Sequence, residues 1–83
     1  MMYKINDTYV STKDIMLIEL ETQTEYTIGD TFYYYFLIIR YFNGAYARIE
    51  VKSVDEYLKN AEEICNIMRL REEKEKYENK SRY

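Results

Sequence analysis

The chain has 83 residues and a net charge of −3, with one cysteine and no histidine, tryptophan or proline. That length holds one domain and one modest core. A lone Cys65 excludes an internal disulfide, and the absence of histidine removes the usual zinc ligands and the usual general base near neutral pH. What remains to stabilise so small a core is packing, helped by oligomerisation.

Met2 to Ile5 and Thr8 to Val10 read as short strands around the turn-prone pair Asn6-Asp7. Ser11 to Asp14 is a polar turn. Ile15 to Glu21 begins as an apolar run and then alternates, which predicts a strand with Met16, Ile18 and Leu20 inward and Glu19 and Glu21 in water. Thr22 to Asp30 reads as a polar connection.

Phe32 to Phe42 is the long central strand, dense in aromatic and β-branched residues and carrying only Arg40 as a charge. Asn43-Gly44 is a strong hairpin signal, since both residues tolerate positive φ. Ala45 to Lys52 returns in clean alternation. Ser53 to Glu56 forms a capping box, and Val54, Tyr57, Leu58, Ala61, Ile64, Cys65 and Met68 then recur at helical spacing. Cys65 is expected in the core as part of that stripe. From Arg71 the apolar stripe ends, leaving charges with i,i+4 pairs such as Glu72–Lys76. The expected architecture is α+β: a small antiparallel sheet of four to five strands packed by one C-terminal amphipathic helix. Residues 1–70 form the domain, and 71–83 a charged helix extension or frayed tail.

A strand with one wet face should alternate, and Phe32 to Phe42 does not. With a two-residue Asn43-Gly44 turn, Phe36, Ile38 and Phe42 enter the core. Tyr33, Tyr35, Leu37, Ile39 and Tyr41 then face outward beside Tyr46. A three-residue turn shifts the register by one and buries the odd set instead, leaving Phe32, Tyr34, Phe36, Ile38 and Phe42 outside. Either register leaves a surplus apolar face. Curling of the sheet into a small barrel covers it; otherwise it forms a patch of about 500–600 Å², a size that marks partner sites.

No Gly-rich phosphate loop and no nucleophile–histidine arrangement is present, so no catalytic residue, cofactor or metal ligand is assigned. Asp14, Glu19, Glu21, Glu25 and Asp30 run without an intervening base. They read as a solvated strand face, or as an acidic face for a basic partner; no ligand loop of known spacing supports a metal. Met1 to Met68 holds six basic and eleven acidic residues, and Arg69 to Tyr83 six and four. An acidic body disfavours phosphate backbones and favours partners with basic surfaces. No apolar stretch approaches a membrane span. The lone cysteine, with no export signal, suggests the cytoplasm.

These residues lead to one expectation: a non-catalytic protein-binding module for a protein partner with a basic surface, with a homodimer as an expected form. Tyr33, Tyr35, Leu37, Ile39, Tyr41 and Tyr46, with Glu19, Glu21 and Glu25, form its partner surface. In size, acidity and lack of catalytic groups the chain is similar to phage-encoded inhibitors of host defence, anti-CRISPR proteins among them, which occlude a larger target. That similarity is an analogy and defines no family. Two alternatives stand beside it. One is a nucleic-acid-binding sheet, in which Tyr33, Tyr35, Tyr41 and Tyr46 stack bases while Arg48 and Lys52 hold phosphates, or in which the basic–aromatic tail with Tyr77 and Tyr83 binds a single strand. The other is a small homo-oligomeric structural subunit.

Overall fold

The computed structural model describes residues 2–80, with side chains as far as Leu70. Five strands and one helix follow in order: β1 (Met2–Ile5), β2 (Thr8–Ser11), β3 (Ile15–Thr27), β4 (Asp30–Tyr41), β5 (Tyr46–Val51) and α1 (Val54–Lys80). The fold is α+β. Its strands divide into two antiparallel sheets, a β1–β2 hairpin and a three-stranded sheet ordered β3-β4-β5.

Each turn is set by its residues. Asn6 adopts φ 53 between the paired Ile5 and Thr8, and its side-chain amide donates to the Glu50 carbonyl on β5 at 2.9 Å. This bond ties the small hairpin to the larger sheet. Ile28 and Gly29 form a two-residue turn between Thr27 and Asp30, with Gly29 at φ 90. A side chain there would meet no neighbour, so the constraint on Gly29 is its backbone conformation alone.

The β4–β5 turn settles the register. Tyr41 N–H donates to the Ala45 carbonyl at 2.9 Å, and Gly44 N–H to the Tyr41 carbonyl at 3.1 Å, enclosing the three residues Phe42, Asn43 and Gly44. Asn43 Oδ1 accepts from Ala45 N–H, and Gly44 takes φ 90. This is the three-residue hairpin with a left-handed glycine. It pairs Tyr35 with Val51, Leu37 with Ile49 and Ile39 with Ala47. The odd set of β4 therefore turns inward, and the two-residue register with its outward Leu37 and Ile39 is corrected. Asn-Gly serves both turn types. Packing selects this one, because it places two large aliphatics opposite Ile49 and Val51.

The core consists of Ile5, Val10, Ile15, Leu37, Ile39, Ile49, Val51 and Ile64, flanked by Tyr3, Ile18, Tyr35, Tyr41, Ala47, Tyr57 and Met68. Burial of each such aliphatic is worth about 1.5–3 kcal/mol before entropy is set against it. On β3 a bulge between Ile15 and Leu17 shifts the phase of the strand. It leaves Met16 exposed, where simple alternation turned it inward, and lets Ile15 join the core.

Ser53 caps α1. Its Oγ accepts from Glu56 N–H at 3.1 Å, and the Glu56 carboxylate accepts from Lys52 N–H at 2.7 Å, one residue before the position expected of a capping box. Of the expected inner stripe, Tyr57, Ala61, Ile64 and Met68 are buried or half-buried, while Val54 and Leu58 are exposed. Cys65 is also exposed, against expectation. The helix rests on a narrow sheet that covers only one side of its apolar arc. The Glu72–Lys76 pair and the tail aromatics Tyr77 and Tyr83 lie outside the described side chains.

Candidate interaction surface

The residues expected to form one partner face are divided by the register. Leu37 and Ile39 are fully buried beneath α1. Tyr35 and Tyr41 are half-buried against the same core, and the Tyr41 hydroxyl donates to the Ser11 carbonyl at 2.7 Å. Burial pushes the Tyr41 hydroxyl pKa up, although the Ser11 bond works the other way. Tyr33 lies further along the same face and is exposed. Tyr46 is exposed on the opposite face, paired with Arg40. So four of the six apolar positions belong to the core, and only Tyr33 and Tyr46 remain at the surface on opposite sides.

The outer face of the sheet is covered by the chain's own charges. Across it, Ile38 sits between Glu19 on β3 and Arg48 on β5, and Phe36 between Glu21 and Glu50. Arg40 Nε contacts Glu19 at 2.9 Å, and Arg48 Nη2 contacts Glu21 at 3.1 Å. The Arg48 guanidinium also lies over the Phe36 ring, 3.7 Å from its centroid. Each exposed ion pair is worth only about 0.2–1 kcal/mol. Their long stems nonetheless shield apolar surface, and Ile38 is buried even though it lies outside the core. Glu19 and Glu21 therefore have arginine partners within the chain. Glu25 accepts from the Tyr34 hydroxyl at 3.0 Å, and this bond holds the Tyr34 pKa above its ordinary value.

The unshielded part is the distal half of the β3–β4 hairpin. β5 pairs with β4 only from Tyr35 to Arg40, whereas β3 and β4 continue to the turn at Ile28-Gly29. Gln23–Thr27 and Asp30–Tyr34 thus extend as a two-stranded arm of about 17 Å. Such a ribbon is marginal alone and depends on cross-strand pairs, here Thr24 with Tyr33, Gln23 with Tyr34 and Glu25 with Phe32. Tyr26 and Tyr33 project from one face and Phe32 from the other, with Ile28 fully exposed at the tip. The molecule measures 67 × 25 × 19 Å along its principal axes, consistent with this extension and a long helix.

Reading Thr22 to Asp30 as a polar connection missed Tyr26 and Ile28. The alternation of Thr22, Thr24 and Tyr26, closed by Gly29, was the signal that could have found the arm. Elsewhere, a shallow groove of about 420 Å³ opens among Ser11, Lys13, Asp14, Tyr41, Asn43 and Ala47. Among the described residues no group of three His, Cys, Asp or Glu could hold a metal ion, and no helix is long and apolar enough to cross a membrane. No protein-family model, curated protein or solved structure matches the chain.

Proposed function

We propose that the chain is a non-catalytic protein-binding module, acting in the cytoplasm, whose contact element is the distal β3–β4 hairpin. The observation that carries this reading is the exposure of Tyr26, Ile28, Phe32 and Tyr33 on both faces of one narrow arm. Tyrosine and other large side chains supply the anchors that dominate protein interfaces. Two-sided exposure suits insertion into a cleft better than contact with a flat surface. Occlusion of a larger target's cleft, the mode of a phage-type inhibitor, is the form of binding that such a shape serves. A base-stacking sheet is less well supported, because Arg48 is engaged by Glu21 and Phe36, and Tyr35 and Tyr41 pack against the core.

The test is affinity capture from the native host with wild-type chain and a Tyr26→Ser, Ile28→Ser double variant. The proposal expects one protein species held by the wild type and lost with the variant, while both retain the same melting temperature. Capture of nucleic acid, seen in the absorbance ratio of the eluate, would contradict it.

A further inference from the structure

The hydrogen-bond alternation of the large sheet shows which backbone groups have no strand partner. Tyr41 N–H donates to Ala45, so Tyr41, Ile39, Leu37 and Tyr35 direct their backbone groups toward β5. The even residues of β4 then face β3, and their partners Leu17, Glu19, Glu21, Gln23 and Glu25 face back. Ile18, Leu20, Thr22, Thr24 and Tyr26 consequently point their N–H and C=O groups away from the sheet. β3 is an edge strand, and among the described residues no backbone hydrogen bond joins that edge to β1, β2 or α1. The opposite edge differs, for Asn6 caps the outward Glu50 carbonyl.

An edge this long, with no proline or lysine to block it, is a template for strand addition. Its side chains specify the addition. Every charged residue of β3 is a glutamate, and Glu19, Glu21 and Glu25 all share the outer face. Ile18, Leu20, Thr22 and Thr24 occupy the other. We infer that the free edge of β3 binds an extended partner segment that alternates basic residues with apolar or small ones, the latter set against Ile18, Leu20 and Thr22. The basic residues are set against Glu25 and against Glu19 and Glu21, whose side chains stay 45% and 43% exposed beside Arg40 and Arg48. This rests on the protein-binding reading and names its partner class. A second copy of the chain fits poorly. Antiparallel self-pairings centred on Leu20, Glu21 or Thr22 set Glu19 against Glu21, Glu21 against itself or Glu19 against Glu25, and like charges directly opposite are destabilising.

The test is amide hydrogen exchange by NMR on the full chain, with peptides of about eight residues that alternate lysine with valine or glutamate with valine. With the lysine peptide, the N–H groups of Leu20, Thr22 and Thr24 should pass from fast to slow exchange. Those of Glu19, Glu21 and Gln23, already bonded to β4, should change little. Replacing Glu19, Glu21 and Glu25 together by glutamine should weaken the lysine peptide about tenfold and remove most of its salt dependence. Protection of none of the outward amides, equal protection by both peptides, or protection that grows with protein concentration alone would overturn the inference. A Thr22→Pro variant separates the edge from the arm, since it deletes one outward N–H and leaves the β3–β4 ladder paired. Should the folded Thr22→Pro chain still hold the host partner that Tyr26→Ser, Ile28→Ser loses, edge addition fails while the protein-binding reading stands.

Discussion

Ile38 and Ile39 are adjacent on β4 and both are buried, at 5% and 0% exposure, on opposite faces of the sheet. Ile39 belongs to the core with Ile49, Val51 and Ile64, while Ile38 lies outside it, flanked by Glu19 and Arg48. Ile39→Ala should therefore cost about 2–5 kcal/mol, and Ile38→Ala less, because flexible charged side chains can close over the gap. Urea unfolding measures both. A sharper version adds charge: Tyr35→Glu with Ile39→Lys should unfold the chain, and Phe36→Glu with Ile38→Lys should leave it folded but weakened. Swapped outcomes would restore the two-residue turn.

Cys65 supplies a second test. It lies on the exposed side of α1, so a thiol reagent should modify the native chain nearly as fast as the urea-unfolded one. Slow native modification, released by denaturant, would return the thiol to the core and rotate the helix.

Alkaline titration probes the junction of β1 with α1. The Tyr3 hydroxyl lies within reach of the Glu63 carboxylate and 3.0 Å from Asn60 Oδ1. Burial first, then the Glu63 hydrogen bond and charge, pushes its pKa up to about 12, against an ordinary value of 10.0. The raised folded value means that the neutral form is favoured in the folded state. Its stabilisation is complete below pH 10 and is lost as pH climbs toward 12. Burial raises Tyr41 and Tyr57 in the same direction. Melting temperature should fall across that window, and Tyr3→Phe should make the fall shallower. An unchanged slope in Tyr3→Phe would remove Tyr3 as a source.

The helix start gives a fourth test. Ser53→Ala removes the acceptor for Glu56 N–H and should cost about 0.5–2 kcal/mol by urea unfolding. No measurable loss would show that Glu56, bonded to Lys52, holds the first turn unaided.

Elements whose signals are local were legible in the sequence: the Asn6-Asp7 turn, the central strand, the returning strand and the Ser53 cap all stand where their residues predict. Which face of β4 turns inward was not legible, and the reason is a parity. Asn43-Gly44 accommodates two hairpins that differ by one residue, and one residue exchanges every side chain of β4 between faces. Only long-range packing of Leu37 and Ile39 against Ile49, Val51 and Ile64 decides between them. The arm escaped for another reason. Thr22 to Thr27 is polar because both its faces are wet, so the apolar alternation that marks a half-buried strand was missing. Cys65 was misplaced because its helical spacing implies a broad buried arc, whereas a three-stranded sheet covers a narrow one.

If the distal β3–β4 arm makes the contact, a photo-crosslinker placed at its tip will capture the partner. A photoreactive phenylalanine analogue would replace Ile28 at the tip of the arm or, in a second chain, exposed Phe42 in the β4–β5 turn at the opposite end of the sheet. In the native host, the Ile28 position should yield one discrete covalent adduct with a protein that the unmodified chain competes away, and Phe42 should yield none. Adducts from Phe42 with none from Ile28 would contradict contact through the arm.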